Sequence, residues 1–215
     1  RAVSGETLIL LALVIPLVTA AGIFVAGRFP NVRETVTIVG AVALFATAIA
    51  LARQVSAGLE PALMLGEAMQ GLTFAFRLEP LGALFALVAS GLWIVNSFYS
   101  IGYMRGNRER NQTRFYICFA IALFGALGVA MSANLFTLFV FYEVLTLSTY
   151  PLVAHKEDAA AKRGGRIYLM TLLGTSIGLF LPAIAWTFVL AGGNLDFVPG
   201  GLLAGNPDVT PLVSS

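Results

Sequence analysis

The chain has 215 residues, of which 58% are hydrophobic and 11% charged, with a formal net charge of +2. An average soluble domain is about 45–50% apolar and about 25% charged, so a water-exposed globular fold is excluded and lipid must cover the outside. A single cysteine, Cys118, rules out an internal disulfide or a CxxC redox or metal site and reads as a small buried residue.

A bilayer core of about 30 Å takes about 20 apolar residues as a helix. Six stretches qualify in chain order: Thr7–Ala26, Val36–Ala52 (extendable back to Arg33), Pro80–Tyr103, Arg114–Met131, Leu135–Val153 and Ile167–Leu190. The fold class is therefore an all-α polytopic membrane protein with six transmembrane helices. The chain opens at Arg1 without a methionine, so preceding residues are expected to have been trimmed. The first span exceeds the roughly 7–15 apolar residues of a signal-peptide core and reads as a retained helix. Pro80 suits a helix start, where a missing N–H costs nothing. Ser132 or Asn134 is the expected N-cap of the fifth span. Pro16, Pro151 and Pro182 each free a carbonyl inside or near the end of a span.

Between the second and third spans, Leu72, Phe74, Phe76 and Leu78 alternate with Thr73, Ala75, Arg77 and Glu79, the period of a strand. With "PALML" before it and the glycine-bounded "GEAMQG" between, a β-hairpin is expected. Charge sets the orientation. With the N-terminus outside, the inward loops hold Arg28, Arg33, Arg105, Arg108, Arg110, Arg114, Lys156, Lys162, Arg163 and Arg166, and only Arg1, Arg53 and Arg77 stay outside. The positive-inside rule therefore places the N-terminus and the hairpin on the outer face. From Gly192 to Ser215 the chain turns polar and reads as a surface loop.

His155 is the single histidine, which excludes a haem held by two histidines. HExxH, P-loop and Rossmann fingerprints are missing, and no carboxylate group could cage a calcium ion. No metal, cofactor or nucleic acid is expected. The loop from His155 through Arg166 reads as a charged topology anchor, with His155 as a cytoplasmic proton-uptake point in the functional alternative. Gly174 and Gly178 read as a close helix-packing pair. Thr171, Thr175 and Ser176 either bond their own helix backbone or hold water.

Glu143 stands apart, the one ionisable group expected deep inside a span. An acid at mid-span costs about 2.5–3.5 kcal/mol on the insertion scale, and such acids are functional by default. At helical spacing Phe139 or Val140, Thr146 and Tyr150 share its face. A proton path of Glu143 with Thr146, Tyr150, His155, Thr171 and Thr175 in support is the expectation, because a lone acid among hydroxyls suits protons better than sodium. A quinone-binding redox subunit, with Glu143 or His155 on the carbonyl, and a non-catalytic scaffold are the alternatives.

"NLFTLFVFYEVLTLSTYPLVAH" resembles the fifth-helix region of the antiporter-like membrane subunits, found in Mrp-type cation/proton antiporters, respiratory complex I and membrane-bound hydrogenases. "FRLEPLGALFALVASGLWIVNSFYSIGYM" resembles the third helix of that family, though Asp is commoner there than Glu79, and "RFYICFAIALFGALGVAMSANLF" resembles the fourth. The resemblance implies three segments: residues 1–79 as two leading helices and the outer hairpin, 80–111 as a third helix with a basic cytoplasmic loop, and 112–215 as the start of a proton-translocating repeat, truncated. It also implies that Glu143 is the functional glutamate, with a partner lysine on a seventh helix beyond Ser215. Within the family, "YEVLTLSTYPLVAHK" looks closest to the Mrp D-type subunit, the alternative being a proton-pumping subunit of complex I or of a hydrogenase. Other membrane subunits, protons, sodium and the lipid of a prokaryotic cell membrane are the partners so implied.

Overall fold

A computed structural model describes residues 3–69, 71–155 and 159–203. The order is α1 (Gly5–Val25), α2 (Pro30–Ser56), β1 (Ala62–Met69), β2 (Leu72–Arg77), α3 (Pro80–Gly106), α4 (Gln112–Ala130), α5 (Leu135–Val153) and α6 (Ala159–Thr175). A π-helical turn, Ser176–Phe180, then leads straight into α7 (Leu181–Leu190). Counting α6 through α7 as one 32-residue run, six helices are long and apolar enough to cross a membrane.

The expected spans sit inside longer helices, and the extensions correct the sequence reading. Pro30 starts α2, so the extension of the second span back to Arg33 holds and the helix runs three residues further still. The basic run Lys162–Arg166 likewise belongs to the first turns of α6. In both places charge hides a helix from a hydropathy criterion, because the chain stays helical where it leaves the apolar layer. Lys156, Glu157 and Asp158 of the expected loop, and 204–215 of the expected surface loop, lie outside the described residues.

The hairpin is present, but its turn is tighter than expected. β1 runs on through Gly66-Glu67-Ala68-Met69, pairing Ala62 with Arg77 and Met69 with Leu72, with irregularities between Met64 and Gly66 and between Glu67 and Met69. Gly66 has φ 141°, a conformation only glycine adopts freely, and it absorbs one of these irregularities. Phe76 and Leu78 are buried as the alternation requires.

The strand pattern does not stop at β2. The Arg77 N–H donates to Met131 O at 2.8 Å and the Ala133 N–H to Ala75 O at 2.9 Å. On the far side of that connector, the Leu135 N–H donates to Leu195 O at 3.0 Å and the Phe197 N–H to Ala133 O at 2.9 Å. The α4–α5 connector and the segment after α7 thus add short bridges to the hairpin, tying together one end of α3, α4, α5 and α7. The apolar core runs through α1 to α4 and the hairpin, around Ile9, Leu44, Trp93 and Leu127, and takes only Phe141 from α5.

Candidate functional site

Asn134 starts α5: its Oδ1 accepts from the Thr137 N–H at 2.7 Å while its Nδ2 donates to Thr73 O at 2.9 Å. It caps the helix and holds the hairpin with one side chain. Ser132, the other expected cap, instead donates its hydroxyl to Val129 O. Farther along, α4 lies close against α5 because two glycines face it. A Cβ on Gly125 would come within 2.9 Å of the Leu145 amide nitrogen, and one on Gly128 would run into the Phe141 ring. Phe141 in turn packs against Phe124 at 4.9 Å and Phe76 at 5.3 Å between centroids. These contacts fix the height and rotation of α5, and hence of the residues beyond Phe141.

Glu143 follows two residues later and is half-buried. Its Oε1 is closed to solvent and has no hydrogen-bond partner among the described residues. A buried acceptor left unmade costs about 1–3 kcal/mol, and nothing in the packing of α5 requires it. One turn on, Thr146 is 4% exposed. Its carbonyl accepts the Thr149 hydroxyl at 2.9 Å, and the Thr149 oxygen also lies 3.1 Å from the Tyr168 hydroxyl of α6. The ring of Tyr150 lies against Gly165, where a Cβ would come within 3.1 Å of it. The basic run of α6 therefore carries a glycine that lets the two helices touch beside a tyrosine.

The π-helical turn sits opposite this region. Pro182 has no N–H to donate four residues back and its ring clashes with that carbonyl, and the widened turn Ser176–Phe180 precedes it directly. Phe180, at its end, places its ring 5.8 Å from Phe139 and 6.2 Å from Tyr142, both on the N-terminal side of Glu143 along α5. Such turns recur at functional sites.

The expected path residues thus separate into groups. Glu143, Thr146 and Tyr150 follow one another on α5, and His155 sits just past its end. The Thr171 hydroxyl donates to Ile167 O, and that of Thr175 to Thr171 O and Leu172 O, so both are engaged with their own helix and exposed. Gly174 and Gly178 have open space where a Cβ would stand, and no helix among the described residues packs on them. Tyr168, which completes the hydroxyl pair with Thr149, is not marked by the sequence pattern. It stands one residue inside the apolar run that begins at Ile167.

The second buried carboxylate is also invisible to that pattern. Glu34 is 6% exposed. Arg105 Nε donates to its Oε1 at 3.0 Å and Arg105 Nη2 to its Oε2 at 2.5 Å. Arg33 Nη2 lies 3.4 Å from Oε1 and donates to Gln112 Oε1 at 2.8 Å, while Nη1 donates to Thr113 Oγ1 at 3.1 Å. The Arg33 guanidinium also lies 5.2 Å from the Tyr116 ring centroid. This cluster ties the ends of α2, α3 and α4 together. Glu34 follows Arg33 at the edge of the second apolar run, where a charge is unremarkable, so nothing in the hydropathy pattern marks it.

Comparison with known proteins supplies a lineage. The family profile described as "NADH-Ubiquinone oxidoreductase (complex I), chain 5 N-terminus" matches residues 68–116. A "Putative antiporter subunit mnhA2" of Staphylococcus haemolyticus is 30% identical over 122 residues, 55% of this chain and 15% of the relative. A probable K(+)/H(+) antiporter component of the A/B type, from Rhizobium meliloti, is 29% identical over 193 residues, 85% of this chain and 19% of the relative. The aligned part is therefore less than a fifth of either relative. Two solved complexes share the fold at 21% identity. One is the membrane-bound sulfane sulfur reductase, an archaeal respiratory membrane complex, at TM-score 0.74 over 87% of this chain and 38% of that chain. The other is the Mrp complex from Dietzia sp. DQ12-45-1b, at TM-score 0.68 over 89% of this chain and 35% of that chain.

Proposed function

We propose that this chain, which belongs to the antiporter-like membrane subunit family, contributes the proton-relay half-site of a multisubunit cation/proton antiporter in a prokaryotic cell membrane. The observation that carries the reading is the buried, unpartnered Oε1 of Glu143 in mid-span. A water-poor setting favours the neutral form of an acid, and a cation brought close favours the carboxylate. A charge moving toward and away from Glu143 would then drive proton uptake and release, the relay role common to intramembrane acids. Thr146 and Tyr150 follow on the same helix and lead toward His155. Thr171 and Thr175 would join the path only if another helix, carrying water or a charge, lay against the open face of α6.

The relatives carry A-type and A/B-type designations, which favours an A-type identity over the D-type suggested by the α5 motif. A second reading, a pumping subunit of a redox-driven complex, draws on the match to the complex I profile. Residues 112–215 would begin the translocating repeat, after the leading segments 1–79 and 80–111, and other membrane subunits would complete the site. Protons, and sodium or potassium as the exchanged cation, are the transported species. The basic ends of the helices would face the cytoplasm, with the N-terminus and the hairpin outside. Single cysteines at Gly66 and Ala160 should then react with an impermeant reagent from opposite sides of the membrane, and labelling of both from one side would overturn that orientation.

The function is tested in the parent complex in proteoliposomes. Glu143→Gln should assemble and lose proton coupling, while Glu143→Asp should keep part of it, one methylene shorter. A Glu143→Gln complex that couples protons at the wild-type rate would favour the scaffold alternative. Reduction of a quinone that depends on Glu143 or His155 would favour the redox alternative.

A further inference from the structure

A cleft of about 400 Å³ opens at the basic end of the bundle, away from Glu143, between α3, the α3–α4 loop, the start of α4 and the end of α5. Its polar lining comes from Asn96, Tyr99, Ser100, Tyr103, Glu109 and His155. The loop holds Glu109 in place through its backbone: its N–H donates to Met104 O at 3.0 Å and its carbonyl accepts Gln112 Nε2 at 3.1 Å. His155 reaches the cleft, yet both its ring nitrogens are closed to solvent and bond nothing among the described residues. Its ring stands edge-on to Phe115, 5.6 Å between centroids, and its carbonyl accepts Arg114 Nη2 at 3.4 Å.

An imidazole with two orphaned nitrogens is costly where it stands, and a turn of the ring toward the cleft would relieve that cost. A polar space of this size has room for several waters, which would supply both a donor and an acceptor. We infer that this cleft is a proton-loading port, with Glu109 as the acceptor at its mouth and His155 as the ring that swings between the cleft and the end of α5. Among the described residues, the charged and titratable groups around His155 are Arg114 of α4, Glu109 of the loop, and Tyr99 and Tyr103 of α3. An imidazole can accept a proton at one ring nitrogen and donate from the other, so a ring with both nitrogens uncommitted can pass a proton on. From Val153 at the end of α5 to Glu143 is roughly 15 Å of helix at about 1.5 Å per residue, along which Tyr150, Thr149 and Thr146 present hydroxyls. The inference rests on the relay reading of Glu143 and adds the place where the proton is collected.

The test uses the parent complex in proteoliposomes, with exchange driven from the basic-end side. His155→Gln and Glu109→Gln should each assemble and slow exchange about tenfold or more, the scale of a lost proton-transfer group. In a Cys118→Ala background, Asn96→Cys should react with an impermeant thiol reagent from that side only, and the modification should block exchange. Wild-type rates in both port variants, with Glu143→Gln still inactive, would overturn the port and leave the relay standing. An Asn96→Cys complex that resists the reagent would overturn the port as a hydrated cleft. Normal coupling in Glu143→Gln would bring down the relay and the port with it.

Discussion

At one end of α2 the Glu34 carboxylate is held by Arg105 through two hydrogen bonds and approached by Arg33, whereas in mid-α5 the Glu143 Oε1 is buried with no partner among the described residues. The packing around the two differs in the same direction. The buried share of the spans falls along the chain, from 44% for α1 to 22% for α5 and 11% for the run through α6 and α7. Within the first four helices the buried carboxylate has its cations beside it on α2 and α3. Of the last two spans, α5 packs on α4 at Gly125 and Gly128, while the run through α6 and α7 touches α5 at Gly165, Tyr168 and Phe180 and is otherwise the most open. A buried charge with its partners in place reports on assembly, whereas under the function proposed above a buried acid without one marks a site that another element would complete.

Removing charge at Glu34 should have the largest effect on stability. Glu34→Gln leaves Arg33 buried without a carboxylate, and breaking such a pair from one side costs about 3 kcal/mol or more. The measurement is thermal unfolding of the purified complex in detergent, with Glu143→Gln in parallel showing little change. Next comes the contact that positions α5. Gly128→Val drives a methyl group into the Phe141 ring and should cost about 2 kcal/mol as overpacking. Phe141→Leu in the same chain should recover part of that loss, which would show that the glycine sets the α4–α5 distance. The smallest effect is expected at the open side. Thr149→Val or Tyr168→Phe removes half of a 3.1 Å hydroxyl pair and should cost about 1 kcal/mol, and the double variant should cost little more than either single.

Much of the fold is legible in the sequence because hydropathy and turn chemistry act locally. The six spans, the Pro80 helix start, the Asn134 cap and the Phe74–Phe76 strand face all follow from residues close together in the chain. Lys162–Arg166 read as loop, and Arg33 and Glu34 only as the edge of a span, because a hydropathy window equates charge with the end of a helix, and helices here continue past the apolar layer. The Arg105 partner of Glu34 lies about 70 residues away on α3 and cannot be inferred from spacing. The same holds for the bridges from β2 to the α4–α5 connector and on to Leu195. Glu143 stands out for the opposite reason, since a lone acid in an apolar run is visible without any partner. Whether Thr171 and Thr175 belong with it depends on what covers α6, and their hydroxyls are bound to their own backbone.

The contrast between the two carboxylates is tested most directly by making the same amide substitution at each and measuring two quantities in the parent complex: assembled yield, and proton coupling per assembled complex. The account predicts that Glu34→Gln lowers yield and thermal stability while the complexes that do form couple protons normally. It predicts that Glu143→Gln assembles like wild type and couples none. Loss of assembly in Glu143→Gln with normal coupling in the remainder, or loss of coupling in fully assembled Glu34→Gln, would contradict the division between a structural and a functional acid.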